Sequence, residues 1–482
     1  MVKKTFDVIV VGGGSAGCVM ASRLSEDPQC DVLLIEAGPD YGAFELGGWP
    51  ADLLSAKNLA LESHSWGFED GNAARGRVLG GCSSVNACLV ALAPPGDYAR
   101  WSIMGNEGWD FSEQLPFISK AESMIKTHVP TNDSLSWFVE PFMQGCEIVG
   151  FPKLSYLNGP EWTVGVAPAP RNVHEGVRWN ASFAYLDLAR TRSNFTILSE
   201  CTVDRVLVKK SKVIGVSAIS ASGPVEIFSD SVVLSSGSYL SPSILQRSGI
   251  GSSDFLKMLG IKVVCNLDGV GKELGDHTGA SLQYEMDPML HQPTNGLPEV
   301  ILHSRSSLAQ DHYWDSQALI WHSGDSETST LNFALHAMES DSKGYVRIVS
   351  KNPHVLPQLT QPWTHLSKHD LQLLVESVEL VREICATGVF GPGLGKELFP
   401  GSKNEIGQWI PKNTGGYWHP SGTCSMGPNP DDGAVVDSRA RVHGITGLRV
   451  VDASIFPTVP RGNPNIPTMA AAEFISSTMR AS

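Results

Sequence analysis

The apolar positions of the chain fall into three successive regimes. From Phe6 to Val11 they form an unbroken, β-branched run closed by glycine, the pattern of a strand buried on both faces of a parallel sheet. Cys18–Leu24 reads as a helix and Asp31–Ile35 as a second buried strand. Residues 122–175 are rich in Pro, Ser and Asn and read as loops that border a site or simply connect. The pattern then tightens: Ala181–Leu188 is helical, Phe195–Leu198 is a strand, Thr202–Val208 and Val213–Ala218 make a hairpin, and Val232–Leu234 is another buried strand. Leu245–Ile250 then runs into Gly251. Between 285 and 350, runs such as Ala318–Trp321 and Leu331–Leu335 alternate between polar turns, which predicts a separate antiparallel sheet. Asp370–Thr387 predicts an amphipathic helix, with Leu373, Val378 and Ile384 among its apolar positions. The last segment returns to the first regime, with a strand at Leu448–Val451 and a helix from Thr468. Two α/β stretches thus bracket a sheet-rich middle.

The first strand ends in Gly12-Gly13-Gly14-Ser15-Ala16-Gly17, a G-x-G-x-x-G that opens a helix, and the next strand ends in Glu36. Glycines there allow a tight turn, close approach to a pyrophosphate and close helix–strand packing, while an acid on the following strand tip can accept hydrogen bonds from ribose hydroxyls. The combination predicts a dinucleotide cradle, in a domain that is discontinuous in sequence. A second glycine loop, Gly76 to Asn86, lets backbone N–H groups approach a flat ring or a phosphate. Asp97–Trp101 and Gly105–Trp109 look like helix edges and turns without chemistry.

Composition narrows the classes. With 482 residues the chain suits two or three domains. The net charge of −14 opposes binding to nucleic acid or an anionic membrane, and the cluster Lys209-Lys210-Ser211-Lys212 reads as a solvated turn. Nine cysteines without a C-x-x-C, and no H-E-x-x-H, suggest neither a disulfide framework nor a metal, but thiols in a reducing compartment. No window of 18 apolar residues is present, so a soluble, cytoplasmic protein is expected.

The remaining chemistry lies near the C-terminus: Gly416-Tyr417-Trp418-His419-Pro420-Ser421-Gly422-Thr423-Cys424, followed by Asn463-Pro464-Asn465. A histidine base at one end of the chain and a redox cofactor at the other suggest removal of a proton and a hydride from one carbon–oxygen unit.

These stretches closely resemble the glucose–methanol–choline (GMC) family of flavin oxidoreductases, through Val11–Glu36, Gly76–Trp101, Gly237–Gly251 and Tyr417–Thr468. The resemblance implies a Rossmann-like FAD-binding domain and a substrate domain on an antiparallel β-sheet, of the p-hydroxybenzoate hydroxylase-like kind. It divides the chain into an FAD-binding domain at 1–150, continued at 151–290, a substrate domain at 291–415, and a C-terminal part of the FAD domain with the catalytic residues at 416–482. It implies His419 as proton acceptor and Asn465 as the second catalytic residue. Implied FAD contacts are Gly12, Gly14, Ser15, Ala16, Gly17, Glu36 and Ala37 from the first motif, and Gly80, Gly81, Ser84, Asn86, Ala87, Cys88 and Leu89 from the second. Val203, Trp418, Asp452, Ala453 and Pro464 complete the set.

The second stretch is most similar to the choline oxidase branch, with two departures. That branch tethers flavin through a histidine where this chain has Val85, so the FAD here is expected to be non-covalent. Ala87 replaces a serine, and Trp418 replaces the usual Tyr or Asn before the catalytic His, which alters the pocket. Val85, Trp418 and Glu299 are candidate substrate contacts. Glu299 has two readings: an ammonium-binding acid, or a surface acid that opens the Val300-Ile301-Leu302 strand. The expected activity is FAD-dependent alcohol oxidation with O2 or another small acceptor; a dye- or quinone-linked dehydrogenase and a flavin-containing hydroxynitrile lyase are the alternatives.

Overall fold

The computed structural model describes residues 5–480 except 58, 132–133, 291–295, 326 and 402–403. A five-stranded parallel sheet runs in the order Leu448–Val450, Val232–Leu234, Val8–Val11, Val32–Ile35, Phe195–Leu198. Every residue of Val8–Val11 and Val32–Ile35 is buried, as a sheet covered on both faces requires. The helix Ser15–Leu24 crosses between these two strands, and the C-terminal helix Asn465–Arg480 packs along it and against Phe111–Met124. A buried ion pair joins the two long helices: Arg23 Nη2 lies 2.8 Å from Glu473 Oε1 and its Nε 2.9 Å from Oε2. Lys120 adds a third charge at 2.9 Å.

The second sheet is antiparallel, in the order Leu394–Phe399, Thr278–Met286, Ser329–Ala337, Ser316–Gly324, Val300–Ser304, Gly165–Pro168, with Gly415–Gly416 pairing onto the start of Thr278–Met286. Its period-two pattern sorts the residues onto two faces. Leu331, Phe333 and Leu335 point to a core shared with the helices Lys368–Ala386 and Val139–Ile148. Ala334 and His336, with Leu319 and Trp321 from the neighbouring strand, face the cavity described below.

Three expectations change. Residues 122–175 are not only loop: Val139, Phe142, Met143 and Cys146 recur at helical spacing and form the buried stripe of a ten-residue helix. The antiparallel sheet is not confined to 291–415, since it takes in Gly165–Pro168 and Thr278–Met286, whose partners lie far away in sequence. The C-terminal helix starts at Asn465 rather than Thr468. The lysine cluster does sit in a turn: Lys210 (φ 49°) and Ser211 (φ 58°) join Thr202–Lys209 to Lys212–Ser220, the left-handed pair that a two-residue hairpin needs. Among the described residues no helix is long and apolar enough to cross a membrane, and no cluster of His, Cys, Asp and Glu could hold a metal ion.

Candidate active site

The two glycine loops lie against each other beside the parallel sheet. Gly12 takes φ +97°, and a Cβ on it would stand 2.6 Å from the Ser235 carbonyl oxygen, so no other residue fits there. The Gly80 N–H donates to the Gly13 carbonyl at 2.7 Å. A Cβ on Gly14, by contrast, would meet nothing closer than 3.9 Å, because Gly14 borders open cavity at the N-terminus of the helix Ser15–Leu24. Glu36 closes this end: Oε2 accepts the Gly13 N–H and Oε1 the Gly38 N–H, each at 2.7 Å. Burial pushes its pKa up, opposed by those backbone amides.

From this end a cavity of about 1010 Å³ runs to the C-terminal motif. An uncapped helix N-terminus, bare glycine backbone and a buried carboxylate suit a pyrophosphate-linked dinucleotide such as FAD, and the volume leaves room for a small substrate. Gly12, Gly14, Ser15, Ala16, Glu36 and Ala37 line one end; Gly81, Val85, Asn86, Ala87 and Leu89 form one wall. Val203, Asp452, Ala453, Pro464 and Trp418 also border it. Gly17, Gly80, Ser84 and Cys88 lie behind this lining: Ser84 Oγ donates to the Leu79 carbonyl and the Cys88 N–H to Asn86 Oδ1.

At the far end the loop 417–419 is pinned by Asp276. Its fully buried carboxylate accepts the backbone N–H of His277 at 2.8 Å, of His419 at 3.0 Å and of Tyr417 at 3.3 Å. Burial pushes Asp276 up to about 6, against the pull of Arg75 and these three N–H groups. Between two pinned residues, Trp418 takes φ +59°, unusual for a side chain of its bulk. Its carbonyl accepts from Arg75 Nη1 at 2.8 Å and its indole N–H donates to the Gly71 carbonyl at 2.9 Å.

His419 is thereby fixed with Nδ1 2.9 Å from Nδ1 of His277 and Nε2 3.3 Å from Nδ2 of Asn463. Tyr417 stacks on His336 with ring centroids 3.8 Å apart, and its hydroxyl accepts from Asn463 Nδ2 at 3.4 Å. Burial holds the proton affinity of His419 well below the ordinary histidine value, reinforced by His277, His336 and Arg75. The ring is therefore a neutral acceptor at neutral pH.

Two expected residues stand elsewhere. Asn465 borders the cavity but turns its Oδ1 to Ser15 Oγ at 2.7 Å; the amide against His419 belongs to Asn463. Glu299 is neither a surface acid nor part of the cavity lining. It is 5% exposed, and its carboxylate accepts Ser136 N–H at 2.7 Å and Ser136 Oγ–H at 2.6 Å, with Arg171 nearby. Val85 is buried among Trp49, Leu53 and Phe183 and borders the cavity with a hydrocarbon side chain. Asp276, His277, His336 and Arg75 were given no role by sequence, and Asn463 was named only within the Asn463-Pro464-Asn465 stretch, the catalytic role going to Asn465. The acid and histidine that close the polar run DGVGKELGDH were the available sign.

The N-terminal model of the GMC oxidoreductase family matches residues 6–279 and the C-terminal one residues 340–472. The chain is 34% identical to an oxygen-dependent choline dehydrogenase of Vibrio vulnificus, over 97% of this chain and 93% of that protein. It is also 34% identical to the mitochondrial choline dehydrogenase of Homo sapiens, over 97% and 88%. Among solved structures, pyridoxine 4-oxidase from Mesorbium loti superposes with a TM-score of 0.87 at 26% identity, covering 99% of each chain. The chain belongs to the GMC oxidoreductase family, and it is an FAD-dependent oxidoreductase of the alcohol-oxidising kind.

Proposed function

We propose that this enzyme oxidises a neutral aliphatic or aromatic alcohol, with His419 as acceptor of the hydroxyl proton and the Asn463 amide as donor to the same oxygen. The observation that carries the reading is the meeting of His419 Nε2 and Asn463 Nδ2 at 3.3 Å, in the cavity whose other end is the Glu36 cradle. Neutral Nε2 can take the proton while the amide N–H stabilises charge on the oxygen, worth ~10²–10⁴-fold as acid–base catalysis. Bound FAD supplies the acceptor for the hydride of the carbinol carbon. Residues suited to hold it are the Gly12–Gly17 turn, Glu36 and the Gly81–Leu89 wall.

A neutral substrate follows from charge. The nearest expected acid, Glu299, has both carboxylate oxygens engaged by Ser136 and lies outside the cavity lining. Lys57 and Arg75 border the cavity with positive charge, and Leu89, Leu319 and Trp321 offer apolar surface. A quaternary ammonium would find aromatic faces in Trp66, Trp321 and Trp418. The acids of the lining, Glu36 and Asp452, are however already engaged by Gly13, Gly38, Gly237 and Ser241, which leaves Lys57 and Arg75 uncompensated against it. Val85 has no atom able to bond to flavin, which supports dissociable FAD. Oxygen as the final acceptor is supported by the relative named oxygen-dependent and by the oxidase among the structural neighbours.

Anaerobic mixing of the yellow holoenzyme with benzyl alcohol, 1-butanol or choline tests this. Bleaching of the flavin's yellow colour by the neutral alcohols, at lower concentration than choline requires, is the expected result. No bleaching by any alcohol would end the reading, and choline as the best reductant would end its substrate part. Oxygen uptake during turnover then checks the acceptor.

A further inference from the structure

A line of hydrogen bonds crosses the site, and the direction of its first link sets that of the rest; what it implies rests on the reading of His419 as the base. The Ala91 N–H donates to Asn463 Oδ1 at 2.9 Å, and the Asn463 N–H returns to the Ala91 carbonyl at 2.7 Å. The amide is thereby oriented, and the group it turns to Nε2 of His419, at 3.3 Å, is its NH2. An NH2 has only hydrogens to offer, so Nε2 presents its lone pair and the single ring proton of neutral His419 sits on Nδ1.

Nδ1 of His419 lies 2.9 Å from Nδ1 of His277, with the rings nearly perpendicular. Two ring nitrogens at this distance share one proton. With His419 as donor, His277 accepts on Nδ1 and carries its own proton on Nε2. The Pro460 carbonyl lies near the His277 ring, and Nε2 is buried without a hydrogen-bond partner among the described residues.

We propose that His277 is a positioning residue that holds the proton of His419 on Nδ1 and so makes Nε2 the base. His277 is fully buried, and its backbone N–H is tied to Asp276. A charged His277 would donate from Nδ1 and force the proton of His419 onto Nε2, blocking the base. Burial, with Lys343 in the vicinity, prevents this by pulling His277 down to about 3. During turnover the substrate O–H bond breaks, its electron pair stays on oxygen, and its proton goes to Nε2. The resulting imidazolium keeps its Nδ1–H on His277.

The test compares His277→Phe, which removes the acceptor, with His277→Asn, whose Oδ1 falls near the former Nδ1. In holoenzyme reduced anaerobically by benzyl alcohol, His277→Phe should lower the limiting rate by ~10²-fold, with FAD content and the half-saturating alcohol concentration near wild type. His277→Asn should recover most of that loss, a rescue that a purely packing role would not give. Wild-type protein labelled with 15N-histidine, assigned against His419→Ala, should show His419 protonated on Nδ1 and bare on Nε2, a readout independent of whether His277→Phe folds. A folded His277→Phe enzyme at wild-type rate, an Asn variant no faster than Phe, or His419 protonated on Nε2 would each overturn the proposal. His419→Ala assayed in parallel separates the two readings. If it alone is slow, His419 is the base without help from His277; if it is as fast as wild type, the base itself is misassigned.

Discussion

Asn463 turns its amide NH2 to Nε2 of His419 at 3.3 Å, whereas Asn465, two residues on, turns its amide oxygen to Ser15 at 2.7 Å. The two asparagines flank Pro464, and only the first shares the end of the cavity with the histidine. Asn463→Ala should slow anaerobic flavin reduction by ~10²–10³-fold, the usual effect of removing one donor to a developing oxyanion. Asn465→Ala removes a neutral hydrogen bond and should leave the reduction rate within about tenfold of wild type, a loss of ~0.5–1.5 kcal/mol. His419→Ala should cost ~10²–10⁴-fold, and its combination with Asn463→Ala should cost less than the product of the two, because both act on one oxygen. Equal rates for Asn463→Ala and wild type would contradict the assignment.

The pH dependence follows from burial. The pKa of His419 lies well below the ordinary histidine value, so the ring loses its proton at lower pH than an exposed histidine would. The base form is then complete by neutrality. Flavin reduction should be flat from about pH 6.5 upwards and decline only on the acid side of the usual histidine range. A rate that climbs steeply between roughly pH 6.5 and 8 would mean that the ring carries a proton at neutrality.

The fold and one end of the site were legible because their signals are local. The run Phe6–Val11, the turn Gly12–Gly17 and Glu36 sit within one βαβ unit, so pattern and spacing suffice to place them together. His419 was legible from its motif. Its partners were not, because Asp276 and His277 reach it from the start of the interior strand Thr278–Met286, through a pairing of Thr278 with Gly416 that no local pattern encodes. The choice between Asn463 and Asn465 depends on where the C-terminal helix begins, and the ends of elements are the least certain part of any sequence reading. The helix Val139–Ile148 was hidden by the Pro, Ser and Asn residues around it, although its own apolar stripe is regular.

Glu299 supplies a check on specificity. Its carboxylate binds both the N–H and the hydroxyl of Ser136, away from the cavity lining. Glu299→Gln should therefore leave the ranking of neutral over cationic alcohols unchanged. It should instead cost stability, since a charge-assisted hydrogen bond to a buried group is worth ~1.5–3 kcal/mol. Thermal unfolding and a two-substrate comparison measure both. A change in the ranking with no change in unfolding temperature would return Glu299 to the pocket.

The nature of the flavin link is tested at Val85, whose side chain borders the cavity from an apolar cluster with Trp49, Leu53 and Phe183. Acid precipitation of the holoenzyme should leave all the yellow colour in the supernatant. Colour retained in the pellet would require a bond from another residue.

Glu36 has two separable tasks. In the protein itself its oxygens bind the N–H groups of Gly13 and Gly38 at 2.7 Å each, which holds the first glycine loop in shape. Its place on the cavity wall also allows it to accept hydrogen bonds from the ribose hydroxyls of FAD. Glu36→Gln keeps one acceptor oxygen and replaces the other by an NH2, which would face a backbone N–H across a hydrogen-bond distance. The variant should lose FAD affinity by about 10- to 100-fold, the equivalent of ~1.5–3 kcal/mol for one charge-assisted bond. Apoprotein unfolding distinguishes the contributions. If the loop alone depends on Glu36, apoprotein stability falls and FAD affinity falls only as far as that destabilisation accounts for. If the ribose is bound directly, the affinity falls further than the apoprotein stability. Wild-type FAD affinity in Glu36→Gln would leave the carboxylate with the loop only, and the cradle would then rest on backbone N–H groups and the helix N-terminus.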